Sequence, residues 1–335
     1  MTASLENPVY TVYVIDGKTK YNISPAVIDI SLSNQEKQVA QCATINIQNA
    51  KFKDKSLSSI LKVRLRVMIY ANDGTTKAEV FRGWIWTKYH QAEIDTKTIT
   101  LKCYDNLIYL QESEDSLYFS KGKNTKSVMS TICNKWGITL NYSYSTITHP
   151  KLVLRGTLTD IFMSDILDPV KERTGNKYVI TSQKDVMYVK PVGSNKKVYK
   201  IEKKNNAIGT RVEQTMDGMV TKVVILGKAE EKTDKMPVVA TVTGNTSTYG
   251  TLQKLIDKDT DASLAEAKKE AQNIINEQGK PTKVYQVKTT DIPWIQKGDL
   301  VHVTAGGIDA DLIAVSIERD ISNEAKSMTL TLSKE

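Results

Sequence analysis

Trp294-Ile295-Gln296-Lys297-Gly298-Asp299-Leu300-Val301-His302-Val303 decides how this chain is read, because it opens a strand of a small β-barrel and brings no reactive constellation with it. Gly298 supplies the backbone freedom of a tight turn, and Asp299 carries a side chain that can bond its own local backbone. Val301 and Val303 then alternate with Leu300 and His302 at the two-residue period of a strand. The segment is architectural, and Trp294, just before the turn, is its candidate contact residue.

Working outward, the same alternation marks Val284 to Thr289, Asp299 to Thr304, Asp311 to Ile317 and Ser327 to Leu332, with Ala305-Gly306-Gly307 turning the second stretch into the third. Upstream, Leu264, Ala267, Ala271, Ile274 and Ile275 fit one helical face. Asp261 is placed to cap that helix, and Gly279 and Pro281 stop it. Tyr249, Leu252, Leu255 and Ile256 predict a shorter helix before it. Met219 to Leu226 and Val238 to Val242 read as strands on either side of a solvated charged loop, Lys228 to Lys235. The pattern predicts a second β-barrel module, 193–245 and 282–335, split by a helical insert at 246–281.

Residues 1–105 read as strand after strand: Val9 to Ile15, Ala43 to Gln48, Val63 to Ala71, Glu79 to His90 and Lys97 to Tyr104. Val63, Leu65, Val67 and Ile69 face one way, and Asn72-Asp73-Gly74 is a strong turn signal behind them. Ile99, Leu101 and Cys103 repeat the alternation. From 106 to 192 the period becomes helical. Val128, Met129, Ile132, Cys133 and Trp136 share a stripe that Gly137 ends, and Ile161, Phe162, Ile166, Leu167 and Val170 form a second, closed by Gly175. Pro169 kinks that second helix or starts a new turn. Tyr178 to Thr181 and Val186 to Val189 form a hairpin, making this an α+β module. The expected fold class is thus mixed β and α+β, with two β-barrel-like modules flanking an α+β module.

A chain of 335 residues has room for several such cores, and 40% hydrophobic with 25% charged residues suits folding in water. No apolar run reaches the roughly 20 residues of a membrane-spanning helix, and Met1 to Tyr10 lacks the features of a secretion signal. The net charge of +8 raises nucleic acid as a partner. Yet 39 of the 46 cationic residues are Lys, scattered along the chain, whereas bidentate phosphate recognition is mainly Arg chemistry. No nucleic-acid site is evident, and the basicity suits an acidic protein partner. Cys42, Cys103 and Cys133 read as buried free thiols made in a reducing cytoplasm. With no CxxC pair, and with His90, His149 and His302 read as surface or strand histidines, no metal site is expected.

Reaction machinery does not rise above background. GxGxxG, GxxxxGK[ST], GxSxG and HExxH are all missing from the sequence, so no catalytic residue and no cofactor is assigned. Glu112, Glu114 and Asp115, with Asp105, could supply paired carboxylates for glycoside hydrolysis, but Ser113 and Ser116 interrupt them as in a solvated loop. Asp257, Asp259 and Asp261 imitate a calcium loop without its glycine at position six or glutamate at position twelve. Trp84, Trp86 and Trp136 read as packing positions rather than stacking platforms.

Several stretches carry a family resemblance: Phe81-Arg82-Gly83-Trp84-Ile85, Asp165-Ile166-Leu167 through Thr174-Gly175-Asn176-Lys177-Tyr178-Val179-Ile180, Tyr249-Gly250-Thr251-Leu252, and Glu277-Gln278-Gly279-Lys280-Pro281 on to Lys297-Gly298-Asp299-Leu300-Val301. The chain resembles the XkdQ/YqbQ-type tail proteins of PBSX-like prophages and phage-tail-like bacteriocins, which are similar to gene D-type baseplate hub proteins of contractile tails. The resemblance implies a homotrimer whose two β-barrel modules per chain form a ring of roughly sixfold symmetry. Such a ring adapts a sixfold tail tube to a threefold spike. The implied partners are the chain itself, the tail spike, the tube or tube-initiator protein, baseplate wedge components, and a tape measure or LysM-type tail protein. The implied place is the tail baseplate. A tail-associated peptidoglycan hydrolase is the alternative reading.

Overall fold

The computed structural model describes residues 8–52, 54–92, 97–229, 235–258 and 263–334. Alternating side chains dominate it, and they build a 13-stranded sheet that runs through both β-modules. From one edge the strands are Ala207–Thr215, Thr282–Thr290, Lys326–Ser333 and Ile308–Ser322. The path continues through Val27–Asn34, Cys42–Gln48, Lys97–Tyr104, Lys77–Ala92, Arg66–Asn72 and Val9–Asp16 to Thr19–Asn22. Leu300–Ala305 pairs with Ile308–Ser322 and carries Tyr199–Glu202 as a parallel neighbour.

The long strand Ile308–Ser322 serves both modules. Ile308 to Ile313 pairs with Leu300–Ala305, a bulge follows between Ala314 and Ser316, and Ile317 to Ser322 then pairs with Val27–Asn34. A bulge bends a strand and increases its twist, so this one redirects the strand from one core to the other. Its side chains record the passage: Leu312, Ala314 and Ile317 lie in the second module's core, and Ile321 lies in the first. Val27–Asn34, which meets it, was not among the expected strands. Its Ile30 and Leu32 are buried while Ser31 and Ser33 are half-buried, so the alternation is present but short.

Other expectations need adjustment. The strand expected from Val63 begins only at Arg66, because Arg64 adopts φ 72° and Val63 stands 58% exposed. Lys222–Leu226 and Val238–Thr243, read as part of the second β-module, instead form a separate three-stranded sheet with Gln253–Asp257, in which Lys222–Leu226 is the central strand. Leu255 and Ile256 therefore sit on a strand, not a helix. Gly250, at φ 78°, ends the short helix Thr246–Tyr249 before them, and Ile256 packs against the helix Leu264–Gln278. That helix is capped by Ser263 in a reciprocal arrangement with Glu266. Asp261, the expected cap, lies outside the described residues, as do Asp259 and residues 230–234 of the charged loop.

The middle of the chain packs the helix Thr125–Lys135 and the helical run from Leu158 to Thr174 on a sheet of Thr139–Tyr142, Val186–Pro191 and Tyr178–Gln183. The run widens to a π-helical stretch at Ile161–Leu167 and returns to α geometry at Asp168, one residue before Pro169. Proline has no N–H for an i−4 bond, and the widened turn absorbs that loss. Gly137 and Gly175 both take left-handed φ values and end their helices as expected.

Candidate functional site

Three modules meet around the turn at Gly298, and polar groups drawn from Tyr10 to Arg319 in the sequence converge on this seam. Lys297 is 6% exposed, and its ammonium donates to the Gln35 and Gln38 carbonyls at 2.9 and 2.6 Å. Burial pushes Lys297 down to about 8 and Asp105 up to about 7, each partly opposed by the charge of the other. Asp105 accepts from the Leu107 and Gln41 N–H groups at 2.9 and 3.1 Å. Arg319, 5% exposed on the shared strand, donates to Asp291 at 3.1 Å and to the Ile292 and Ile295 carbonyls at 3.2 and 2.6 Å. The Tyr10 hydroxyl of the first strand donates to the same Asp291. Arg66 and Arg82 reach Asp185 of the middle hairpin at 2.7 and 3.3 Å. Buried charges paired and hydrogen-bonded in this way fix a geometry rather than add much net stability.

Two clefts flank this seam. One, of about 610 Å³, lies among Glu79, Arg82, Asp105, Ser182, Trp294 and Lys297. The other, of about 700 Å³, lies between strand Tyr178–Gln183, the end of helix Leu264–Gln278 and the bulge of the shared strand. Neither brings together a nucleophile, a base and an orienting group.

The acidic residues read as a possible hydrolytic cluster are dispersed. Asp105 is buried in the seam, Asp115 accepts from Lys135 at 2.7 Å and from the Trp136 indole at 2.9 Å, and Glu112 and Glu114 stand exposed. Those donors hold the Asp115 carboxyl below the usual carboxylate range. Among the described residues no group of three metal-ligating side chains comes together. His302 donates or accepts with Asp311 at 2.8 Å and Thr304 at 3.2 Å, an arrangement like a hydrolytic triad. Cross-strand register alone puts it there: His302 lies opposite Asp311, and Thr304 opposite Asp309, on an open strand face outside both clefts. His149, expected on a surface or strand, is instead a buried loop residue with its ring 3.0 Å from the Thr125 hydroxyl.

The tryptophans also fall differently. Trp84 and Trp86 share a face, as expected, but it is the outer one. The Arg64 and Arg66 guanidiniums lie 4.1 and 3.9 Å from the Trp84 ring, while Trp86 remains 38% exposed beside Tyr104 and Tyr109. Trp136 follows the last turn of its helix and is 37% exposed rather than packed on the stripe. Trp294, the candidate contact residue, finds a partner in its own chain: its indole N–H donates to Asp73 at 2.7 Å, in the Asn72-Asp73-Gly74 turn of the first module.

The YQBQ-like family profile matches residues 30–333, nearly the whole chain. The chain belongs to the YQBQ-like family. This YQBQ-like protein is 24% identical over 230 residues to the phage-like element PBSX protein XkdQ of Bacillus subtilis (strain 168), covering 68% of each. Its fold is that of prophage tail proteins. The 43 kDa tail protein of prophage MuSo2 from Shewanella oneidensis superposes with a TM-score of 0.70 at 15% identity, over 97% of this chain and 98% of that one. A tail protein from Neisseria meningitidis MC58 gives 0.70 at 15% identity, over 97% of both chains. In the YQBQ-like chain, sequence reasoning missed Lys297, Arg319 and Asp291 as seam residues. Their one signal is a charged side chain on an otherwise apolar strand or turn, which reads equally as a solvated face.

Proposed function

We propose that this protein is a structural baseplate hub of a contractile phage tail or phage-tail-like particle. Three copies would form a ring whose two β-modules per chain adapt a sixfold tube to a threefold spike. The observation that carries the reading is the shared strand Ile308–Ser322, which joins the two β-modules in one sheet and so fixes the angle between them. A ring in which each chain fills two of six positions needs such a fixed angle. Family membership and the tail-protein fold support the same role, and the division into modules at 1–105, 106–192, 193–245 with 282–335, and 246–281 is proposed with the insert enlarged to take in Lys222–Leu226 and Val238–Thr243. The partners on this reading are the chain itself, spike, tube and wedge proteins, and the place is the tail end of the particle.

Light scattering of the purified chain should give a trimer, and end-on projection images should show threefold density around a central hole. A strictly monomeric chain that is also missing from sheared tail particles overturns the proposal. The role is proposed as non-enzymatic, since the carboxylates a hydrolase would use are dispersed. Zymography on peptidoglycan should show no clearing band; a band lost in an Asp105, Glu112 and Glu114 triple alanine variant would restore the hydrolase reading.

A further inference from the structure

The small sheet built on Lys222–Leu226 leaves one edge and one face bare. Val238–Thr243 is an edge strand of it, paired with Lys222–Leu226 alone. The Gly244 N–H donates to the Thr221 carbonyl at 2.8 Å, and antiparallel neighbours exchange hydrogen bonds at every second pair. Ala240 and Val242 therefore bond inward, and the N–H and C=O groups of Thr241 and Thr243 point away from the sheet. Among the described residues no hydrogen bond reaches those outward groups. Both threonines are exposed, so this edge is open to another chain. Natural edges are blunted by charge, proline or bulges. Here one bulge interrupts the register between Ile225 and Leu226, but the edge strand itself, Val-Val-Ala-Thr-Val-Thr, carries no charge. The opposite edge, Gln253–Asp257, is guarded by Lys254 and Asp257.

The bare face specifies what an added strand would carry. Val223, Ile225, Ala240 and Val242 pack toward the helix Leu264–Gln278. The other face sets Lys222 beside Thr243, Val224 beside Thr241 and Leu226 beside Val238, with Lys228 two residues further on. It reads basic, apolar, apolar, basic over about 20 Å. Val238 is 61% exposed on this face, and neither lysine has an ion pair among the described residues. A second copy of the chain fits the edge badly. Antiparallel pairing of two such edges would set lysines against lysines, and a twofold contact does not extend a threefold ring. The complement is a segment with two apolar side chains between two carboxylates.

We propose that Val238–Thr243 takes an extended segment of a partner protein as a further strand, bonded to the open groups of Thr241 and Thr243. The segment's apolar side chains lie against Thr241 and Val238, and its flanking carboxylates meet Lys222 and Lys228. That the partner is a tail component rests on the function proposed above; the strand addition rests on this sheet alone. A nucleic acid would gain from the lysines but not from the open backbone edge.

The test uses the full chain and a fluorescein-labelled heptapeptide, Glu-Thr-Val-Thr-Val-Thr-Glu, whose carboxylates match the spacing of the two lysines. Fluorescence anisotropy should show saturable binding that weakens at least about tenfold in T241P, where proline removes only an outward N–H. The double variant K222E with K228E should lose the peptide to a similar degree and gain binding of Lys-Thr-Val-Thr-Val-Thr-Lys. That charge exchange decides the matter even if proline unsettles the strand. No binding by the native chain, equal binding by T241P, or no gain on charge exchange overturns the proposal. So does equal binding of heptaglutamate, since the site would then be only a polyanion surface. Light scattering on the same variants should show an unchanged oligomer; an oligomer lost in T241P would make the edge a contact between copies and overturn it. A native chain that binds the peptide yet never forms trimers overturns only the ring, so the two proposals fail separately.

Discussion

At Gly298 two demands coincide. Its φ of 87° disfavours any side chain, and a Cβ there would sit 2.5 Å from a methyl of Val179. Gly298→Ala should therefore lower stability by about 3 kcal/mol, from left-handed strain plus overpacking, measured by urea unfolding; a loss under about 1 kcal/mol would mean the turn relaxes freely. The turn was legible in the sequence, but the approach of Val179, 119 positions away, was not. Lys297 beside it is a sharper case. Lys297→Met strands the Gln35 and Gln38 carbonyls and removes the nearest cation from Asp105, so a loss of about 3 to 5 kcal/mol is expected at pH 8. Burial raises Asp105 to about 7, so its folded form takes up a proton that the unfolded form lacks between about pH 4 and 7, and the associated stability is lost as pH rises through that window. The deficit of Lys297→Met should accordingly shrink at pH 5, where Asp105 is protonated. A deficit independent of pH would show that the two groups are not coupled.

Elements held by local rules matched their sequences best. Helices Thr125–Lys135 and Leu264–Gln278 bury the stripes their 3.6-residue period marks except at Trp136 and Leu264, which stand exposed at the helix ends, because that period acts within one element. Strand Gln253–Asp257 defeated the same reasoning, since Leu252, Leu255 and Ile256 are spaced for a helix while their environment is a parallel neighbour. The loop carrying His149 depends on the helix beneath it. Gly122 N–H donates to the His149 carbonyl at 3.0 Å, and the His149 N–H to the Lys123 carbonyl at 2.9 Å. Burial, helped by the Arg173 charge, pushes the His149 ring down to about 4. A lowered histidine favours folding above its unfolded value and loses that stability as pH falls from about 6.5 toward 4. This contribution, at most about 1.4 kcal/mol per pH unit, runs against the Asp105-linked gain over the same window, so His149→Gln should become more stable relative to the native chain in urea unfolding as pH falls from about 6.5 to 4. Parallel pH profiles for the two would refute it.

For the whole molecule the consequence of a shared strand is cooperativity. Ile308–Ser322 cannot leave one β-core without disturbing the other, and Arg319, Asp291 and Tyr10 tie the same place together. The two β-modules should unfold in one calorimetric transition, and Arg319→Met should lower both together; two well-separated β transitions would show that the joint is weak. The arrangement also explains where sequence reading stopped. A period of two or 3.6 and a turn glycine are properties of neighbours in the chain, so the mixed β and α+β class, the helical stripes and the turns at 72–74, 305–307 and 298 followed from the sequence by itself. Which strand lies beside which, and why Lys297, Arg319 and Asp291 are buried, were decided only by the tertiary structure. Those depend on residues as far apart in the chain as Asp29 and Ser322, brought together by shared apolar burial that carries no local signature.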